Sequence, residues 1–199
     1  MEHPLVSVID FGGQYTQLIV RRVRELGCYS EMVPYTLAAE HIAAKNPAAI
    51  ILSGGPRSVR EEGAPDLDPA LLGDRPVLGI CYGMQWMAHR LGGRVERATD
   101  REYGRRSLEE MTDGSLPATL GNDQVWMSHG DQVVAVPPGF SVSARTPSCS
   151  VAAMDDPASR RYGVQFHPEV THTPGGRELL RSFLFERAGL KPTWTAAHF

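Results

Sequence analysis

The sequence predicts an α/β fold: an open, mostly parallel twisted sheet flanked by helices, with an antiparallel β section added to it. Short apolar runs alternate with segments of helical periodicity, the pattern of a parallel sheet with crossover helices. Residues 48–52 are wholly apolar, as in a strand buried on both faces. Between about residues 93 and 153, short β-like pieces broken by Gly and Pro follow one another, which indicates the antiparallel section.

The individual elements follow from periodicity and from the residues that interrupt it. Gly27 and Gly92 end the first two stretches of helical spacing, and residues 57–74, rich in Pro, Gly and acidic side chains, are expected to form a loop. The expected helices span residues 15–27, 82–91 and 174–186. The expected strands of the main sheet span residues 5–9, 28–33, 48–52, 76–80 and 161–166.

Length and charge indicate one globular domain and exclude several functional classes. The 199 residues carry a net charge of −3, with no basic stripe of the kind that binds nucleic acid. No uninterrupted apolar stretch is long enough to cross a bilayer, and the first residues lack a signal-peptide pattern. We therefore expect a cytoplasmic protein with neither a nucleic acid nor a membrane as its partner.

Three cysteines, Cys28, Cys81 and Cys149, are too few and too widely spaced for a disulfide framework. Neither a CxxC nor an HExxH motif occurs, so no metal site is expected. A reducing compartment also suits a free, reactive thiol.

Residues 79–83 (GICYG) follow an apolar strand and open a helix, which is the pattern of a nucleophile elbow with Cys81 as the nucleophile. Flanking glycines are needed because the chain makes a tight, strained turn there. The turn places the sulfur at the carboxyl end of the sheet, beside a helix N-terminus that favours a thiolate. The backbone N–H of Tyr82 is a candidate donor to an oxyanion. The alternative is a buried structural cysteine.

His167 and Glu169 stand at the end of the last expected strand, in residues 166–169 (FHPE). Residues two apart in an extended segment point to the same side, so the two side chains can cooperate. His167 is then the base and acid for the Cys81 thiol, and Glu169 orients the imidazole. The alternative is a strand-end histidine beside a solvated glutamate.

A second glycine turn, residues 53–56 (SGGP), also follows a buried strand. Glycine lets a backbone N–H approach a substrate carbonyl closely, so Gly55 is the expected second donor of an oxyanion hole. A phosphate-binding loop is the weaker alternative, because Arg57 stands where an aspartate is needed and no Lys-Ser/Thr follows. A plain tight turn is the third possibility.

These three motifs, in this order and at these distances, resemble the signatures of the class I (triad) glutamine amidotransferase family. The matching stretches are residues 53–56 (SGGP), 79–85 (GICYGMQ) and 166–169 (FHPE). The resemblance extends over nearly the whole chain. It implies the flavodoxin-like α/β architecture of that family.

Four further stretches are similar to one branch of the family, the amidotransferase domains of GMP synthases. They are residues 10–19 (DFGGQYTQLI), 102–104 (EYG), 125–131 (VWMSHGD) and 170–174 (VTHTP). The branches that serve anthranilate synthase, carbamoyl phosphate synthetase and CTP synthase usually differ at these places. The chain departs from the pattern at Gly13, where serine is usual, and this removes one hydroxyl near the pocket.

The resemblance implies that Gln85 binds the glutamine substrate together with the backbone around Ser128, Gly130 and Asp131. Gln85 also follows Cys81 by one helical turn, on the same face of the expected helix. The implied reaction is the hydrolysis of L-glutamine to glutamate and ammonia through a γ-glutamyl thioester. This half-reaction needs no metal or cofactor.

In this branch the ammonia passes to a synthetase (ATP pyrophosphatase) domain or subunit, which uses ATP and Mg²⁺ to convert XMP to GMP. The chain lacks the S-G-G-x-D-S loop of such a synthetase. We expect the amidotransferase domain at residues 1–189 and a linker toward a synthetase domain at 190–199, with Trp194 and Phe199 exposed. The partner is expected to dock near residues 102–104 and His172.

Other functions remain open on the sequence alone. The chain could serve another acceptor, such as chorismate in anthranilate synthase, although residues 126–131 argue against it. It could be a γ-glutamyl hydrolase-like cysteine hydrolase, although Gln85 favours free glutamine as the substrate. A regulatory domain without activity is a further alternative, against which the intact triad argues.

Overall fold

Ten strands and four α-helices make up the part of the chain described by this computed structural model, which is residues 3–195 without the side chain of residue 100. The strands are β1 (Leu5–Asp10), β2 (Tyr29–Pro34), β3 (Ala49–Leu52), β4 (Val77–Ile80), β5 (Arg94–Ser107), β6 (Glu110–Met111), β7 (Gln124–Ala135), β8 (Ser141–Arg145), β9 (Ala153–Asp156) and β10 (Arg161–Val164). The helices are α1 (Thr16–Glu25), α2 (Ala38–Lys45), α3 (Tyr82–Arg90) and α4 (Gly176–Ser182). Short 3₁₀ turns lie at Tyr35–Leu37, Pro69–Leu72 and Pro117–Leu120, and a π-helical turn follows α4 at Phe183–Arg187.

Eight strands form one sheet in the order β2-β1-β3-β4-β10-β9-β8-β6. The first five of these are parallel, and β9, β8 and β6 continue the sheet in antiparallel pairing. The strands β5 and β7 pair with each other as a separate antiparallel ribbon. The predicted parallel sheet with an antiparallel section is therefore confirmed, and the antiparallel part is divided between two sheets.

The helices cover both faces of the sheet because its central strands are apolar on both faces. On one face α1 and α4 pack against side chains such as Val8 and Ile80. On the other face α2 and α3 pack against side chains such as Ile9 and Leu52. Successive residues of one strand point into different layers, as Val8 and Ile9 do, and this alternation produces two cores.

Three details of the helical prediction differ from the structure. The helix α2 was not predicted, because it buries only Ala38 and Ile42 and so has a narrow apolar face. The last helix begins at Gly176, two residues later than predicted, and its final turn is π-helical.

Within residues 3–195, none of the helices has the length and apolar character required to cross a membrane.

The segment after residue 190 packs against the domain, so the prediction that Trp194 is exposed was wrong. Its side chain is 8% exposed, and its backbone N–H donates to the carbonyl of Gly27 over 2.9 Å. The Arg24 guanidinium lies 5.8 Å from the centroid of the indole ring. At Gly27, a Cβ would come within 2.8 Å of Pro192 Cβ, so a glycine is needed where the segment crosses the end of α1. Phe199 lies outside the described residues.

Candidate active site

Cys81 lies between β4 and α3, at the carboxyl edge of the parallel strands. Its φ of +53° and ψ of −107° belong to a region that residues with a side chain rarely adopt. A Cβ at Gly79 would lie 2.7 Å from the Met84 nitrogen, and one at Gly83 would lie 2.4 Å from the Leu52 oxygen. The strained strand–turn–helix geometry that the glycine pattern predicts is therefore present.

The Cys81 sulfur is enclosed, since the residue is only 6% exposed. Sγ lies 3.6 Å from the Ser128 carbonyl oxygen, and the amide Nε2 of Gln165 donates to the sulfur over 3.5 Å. Gln165 is fully buried, and none of the sequence motifs includes it. A signal was present, because a glutamine within an otherwise apolar strand end must find partners inside the protein.

His167 and Glu169 form a buried pair, with 2.7 Å between Nδ1 and Oε1. Burial disfavours the charged imidazole, but the Glu169 carboxylate and a hydrogen bond with Cys81 outweigh that effect, so the pKa of His167 lies well above its ordinary range. The Tyr15 ring packs edge-on against the imidazole, with 5.5 Å between the ring centroids. The three side chains of the predicted triad thus meet in one place.

The route by which His167 and Glu169 meet differs from the prediction. The strand β10 ends at Val164, and Pro168 and Glu169 lie in a turn rather than in an extended segment. The backbone is held from outside the turn: His167 N donates to Trp126 O over 3.0 Å, and Thr173 Oγ1 donates to His167 O over 2.7 Å. Long-range contacts, rather than alternation along a strand, therefore orient the pair.

The expected oxyanion donors, the backbone N–H groups of Gly55 and Tyr82, lie on two adjoining turns. A Cβ at Gly55 would stand 2.9 Å from the Phe11 carbonyl oxygen and 3.2 Å from the Tyr82 ring, so this site admits only glycine. Within residues 3–195, neither N–H has a hydrogen-bond acceptor in the protein. Ser53 is buried and braces the turn, since its Oγ accepts from Phe11 N and donates to Gly54 O.

Gly13 stands where the two loops at the rim of the site touch. A Cβ there would lie 2.5 Å from the Gly54 carbonyl oxygen. The absence of a Cβ at this position thus allows the two loops to approach each other closely.

A cavity of about 860 Å³ opens at Cys81 and His167. The four residues expected to bind glutamine, Gln85, Ser128, Gly130 and Asp131, all line it. Gln85 is buried and uses its Nε2 inside the protein, donating to Asp131 O over 2.8 Å and to Gln165 Oε1 over 3.0 Å. Its side-chain oxygen is the atom left to meet a ligand.

A second buried cluster lies beside this cavity, formed by Glu102, His129 and Cys149. Their potential ligand atoms lie within 4.8 Å of one another, close enough for a metal ion. However, burial raises the pKa of Cys149 to about 12, and its sulfur hydrogen-bonds to Val151 O over 3.3 Å. Metal binding requires a thiolate, so the chemistry of this cluster fits a hydrogen-bonded group better than a metal site.

The arrangement around Cys81 is suited to acyl transfer. It combines a thiol nucleophile, a histidine with an orienting carboxylate, and the backbone N–H groups of two turns that line the same cavity. The walls carry amide and carbonyl groups that can bind a small polar molecule.

Two curated proteins with similar sequences carry the same enzymatic name. The chain is 54% identical over its whole length to the GMP synthase [glutamine-hydrolyzing] of Geobacillus kaustophilus, and 55% identical over 97% of its length to that of Corynebacterium jeikeium. It covers 39% and 37% of those two proteins, so the chain spans about two fifths of the length of the curated relatives it matches.

Solved structures and a family model agree with these relatives. A Thermoplasma acidophilum protein assigned as one of the subunits of a GMP synthase superposes with a TM-score of 0.81, at 29% identity over 95% of this chain and 96% of that one. A Thermotoga maritima glutamine amidotransferase, 19% identical over 94% of this chain and 99% of that one, shares the fold with a TM-score of 0.72. The model of the class I glutamine amidotransferases matches residues 7–187. The chain therefore belongs to the class I glutamine amidotransferase family.

Proposed function

We propose that the chain hydrolyses L-glutamine to glutamate and ammonia with Cys81, His167 and Glu169 as its catalytic triad. The observation that carries the proposal is the meeting of a strained nucleophile elbow with a buried His–Glu pair at the end of a cavity. Membership of the glutamine amidotransferase family supports the choice of substrate.

In the first half of the reaction, the Cys81 thiolate attacks the side-chain carbonyl carbon of glutamine. The oxyanion that forms accepts hydrogen bonds from the N–H groups of Gly55 and Tyr82. His167 gives its proton to the departing nitrogen, the C–N bond breaks, and ammonia leaves a γ-glutamyl thioester behind.

In the second half, His167 takes a proton from water, and the resulting hydroxide adds to the thioester carbon. The C–S bond then breaks, which releases glutamate and restores the Cys81 thiolate. Glu169 holds the imidazole in the orientation that both proton transfers require. No metal or cofactor enters these steps.

The glutamine molecule lies against the wall formed by Gln85, Ser128, Gly130 and Asp131. The Gln85 side-chain oxygen accepts from the substrate, while its nitrogen keeps the Asp131 carbonyl in place. The backbone of Ser128 and Gly130 supplies further polar contacts.

The ammonia is used by the synthetase (ATP pyrophosphatase) domain or subunit of a GMP synthase, which consumes ATP with Mg²⁺ and aminates XMP to GMP. The printed name of the relatives, GMP synthase [glutamine-hydrolyzing], supports this acceptor, as does their greater length. The domain comprises residues 1–189, followed by a connection toward the synthetase at 190–199. The reaction takes place in the cytoplasm, where thiols stay reduced.

The test combines the chain with a synthetase module that aminates XMP from ammonium salts. ATP, Mg²⁺, XMP and glutamine are supplied, and both GMP and glutamate are measured. We expect GMP from glutamine only when the chain is present, and none with Cys81→Ala. Cys28→Ala, which removes a buried thiol elsewhere, is the matched control and should remain active.

Each other outcome identifies an alternative. Glutamate without GMP would retain the amidotransferase chemistry and reject the GMP synthase assignment, and chorismate with the synthase component of anthranilate synthase would be tried next. Hydrolysis of γ-glutamyl peptides in preference to glutamine would point to a γ-glutamyl hydrolase. Full activity of Cys81→Ala would reject the triad.

A further inference from the structure

A second buried histidine–carboxylate pair faces the glutamine cavity from the β5–β7 ribbon. Glu102 is 1% exposed, and its Oε2 lies 3.0 Å from His129 Nε2. Oε1 accepts from Thr146 at 2.8 Å and from Ser148 at 2.5 Å. Burial alone would raise the pKa of Glu102, but these hydrogen bonds outweigh it and lower that pKa to about 2. Glu102 is therefore an ionised carboxylate inside the protein.

The position of Glu102 corrects one expectation about the surface. Residues 102–104 were expected to contact a partner, but Glu102 faces inward, whereas the next residue, Tyr103, is 57% exposed. Alternation along a strand separates the two, since successive side chains point to opposite faces. The Glu102 side chain therefore contacts residues inside the protein rather than the surface of a partner.

His129 connects Glu102 to the wall of the cavity through contacts of its two ring nitrogens. Its other ring nitrogen, Nδ1, lies 2.9 Å from the carbonyl oxygen of Asp131. A carbonyl oxygen only accepts, so Nδ1 is the donor in this contact. The same Asp131 oxygen accepts from Gln85 Nε2. One carbonyl is therefore held from two sides.

The held carbonyl belongs to the segment that closes the cavity. Ser128, Gly130 and Asp131 line the cavity, and the Ser128 carbonyl contacts the Cys81 sulfur. Glu102 and His129 are direct cross-strand partners, at the first regular pair after a register shift in the ribbon. At a register shift, some backbone N–H and C=O groups lack the regular hydrogen bonds between the two strands. The Glu102–His129 pair supplies side-chain contacts between the strands at this place.

We propose that Glu102 and His129 are positioning residues for the glutamine substrate: the pair fixes the Asp131 carbonyl and, through it, the shape of the wall at residues 128–131. The inference rests on the proposed glutaminase function. Neither residue contacts the reacting atoms. Their loss therefore weakens substrate binding and leaves the reactivity of the thiol unchanged.

Two substitutions of His129 separate this role from a purely structural one. His129→Asn keeps a side-chain donor near the position of Nδ1, whereas His129→Gln keeps one near Nε2, which contacts Glu102. We expect His129→Gln to raise the KM for glutamine about tenfold, the factor that corresponds to one lost hydrogen bond. His129→Asn keeps the donor to the Asp131 carbonyl but loses the contact with Glu102, so its KM should rise by a smaller factor.

The measurements are the kinetics of glutamate release and the rate at which iodoacetamide alkylates Cys81 without glutamine. Alkylation should proceed at the parent rate in both variants, because the thiol and His167 are untouched. Asp155→Asn is the matched control: Asp155 is also a buried carboxylate of the β-rich section, bonded to Ser143 and Leu116. It should leave the KM unchanged.

Several outcomes would overturn the inference. One is a parent-like KM for His129→Gln, and another is an equal rise in both His129 variants accompanied by slower alkylation, which would indicate general loss of structure. Should His129→Gln fail to fold, Glu102→Gln takes its place, and a KM within about twofold of the parent would reject the role. A parent chain that releases no glutamate, even beside the synthetase, would instead reject the proposed function.

Discussion

Glu169 is the residue on which the charge of His167 depends. The imidazole is buried, which by itself favours the neutral form, yet the carboxylate 2.7 Å away reverses that preference. The second carboxylate oxygen, Oε2, is buried without a hydrogen-bond partner in the described part of the chain. The Glu169 carboxylate therefore interacts mainly with His167.

Glu169→Gln keeps the size of the side chain and removes its charge. We expect kcat for glutamate release to fall about 10³- to 10⁴-fold, by analogy with the loss of the orienting acid in other triads. The pKa of His167 should fall, because the imidazolium loses its carboxylate partner. NMR titration of the histidine and a glutamate-release assay measure the two effects.

Glu178→Gln, on the exposed face of α4, is the control and should match the parent in both assays. A His167 pKa unchanged in Glu169→Gln would contradict the electrostatic role of the carboxylate.

At the scale of elements, the segment that carries Trp194 packs against the domain. It crosses the C-terminal end of α1, where Gly27 provides the space and its carbonyl accepts from the Trp194 N–H. The indole ring lies beside Arg24. Trp194 lines one groove together with Val20 of α1 and with Leu26, which follows the helix.

Trp194→Ala removes the buried indole ring. We expect the free energy of unfolding to fall by about 2 kcal/mol, less than the roughly 3–5 kcal/mol typical of a core tryptophan, because the ring packs on a helix surface. Urea denaturation measures the change. The kinetics of glutamate release should stay as in the parent, since the site lies at the carboxyl edge of the sheet.

Lys191→Ala, in the exposed part of the same segment, provides the comparison and should change stability little. A loss of activity in Trp194→Ala without a loss of stability would show that the segment acts on the site.

For the whole molecule, two buried side chains with shifted pKa values link stability to pH in opposite directions. The folded-state pKa of Glu102 is about 2, below its ordinary 4.5, so the unfolded chain binds more protons between these values. Stability is then present above about pH 4.5 and is lost as the pH falls toward 2. The pKa of His167 is raised above 6.5, so its contribution is present below 6.5 and is lost as the pH rises through the raised value.

We therefore expect maximal stability between these two ranges, with losses on both sides. Urea denaturation from acid to alkaline pH tests this expectation. Glu102→Gln should flatten the acid side between about pH 4.5 and 2, because it removes the proton uptake that causes the slope. An acid slope equal to that of the parent would show that other carboxylates determine it.

The pattern of apolar residues and glycines in the sequence was sufficient to predict the parallel sheet and the members of the candidate triad. Helical and strand periodicities are local properties, and the glycines around Cys81 are required by a turn of a few residues. The adjacency of Cys81 and His167 also follows from topology, since β4 and β10 are parallel neighbours whose carboxyl ends meet at one edge.

Other features of the structure depend on packing between residues that are distant in sequence, and the sequence pattern could not predict them. The burial of Trp194, the contact of Gln165 with the sulfur and the inward position of Glu102 each depend on partners distant in sequence. The register shift in the β5–β7 ribbon changes which residues oppose each other, and no local periodicity encodes it. The sequence by itself thus determined the fold class and the candidate reactive groups, because both arise from short-range patterns. Only the tertiary structure decided how the substrate wall is held, because its hydrogen bonds join strands and loops that meet after folding.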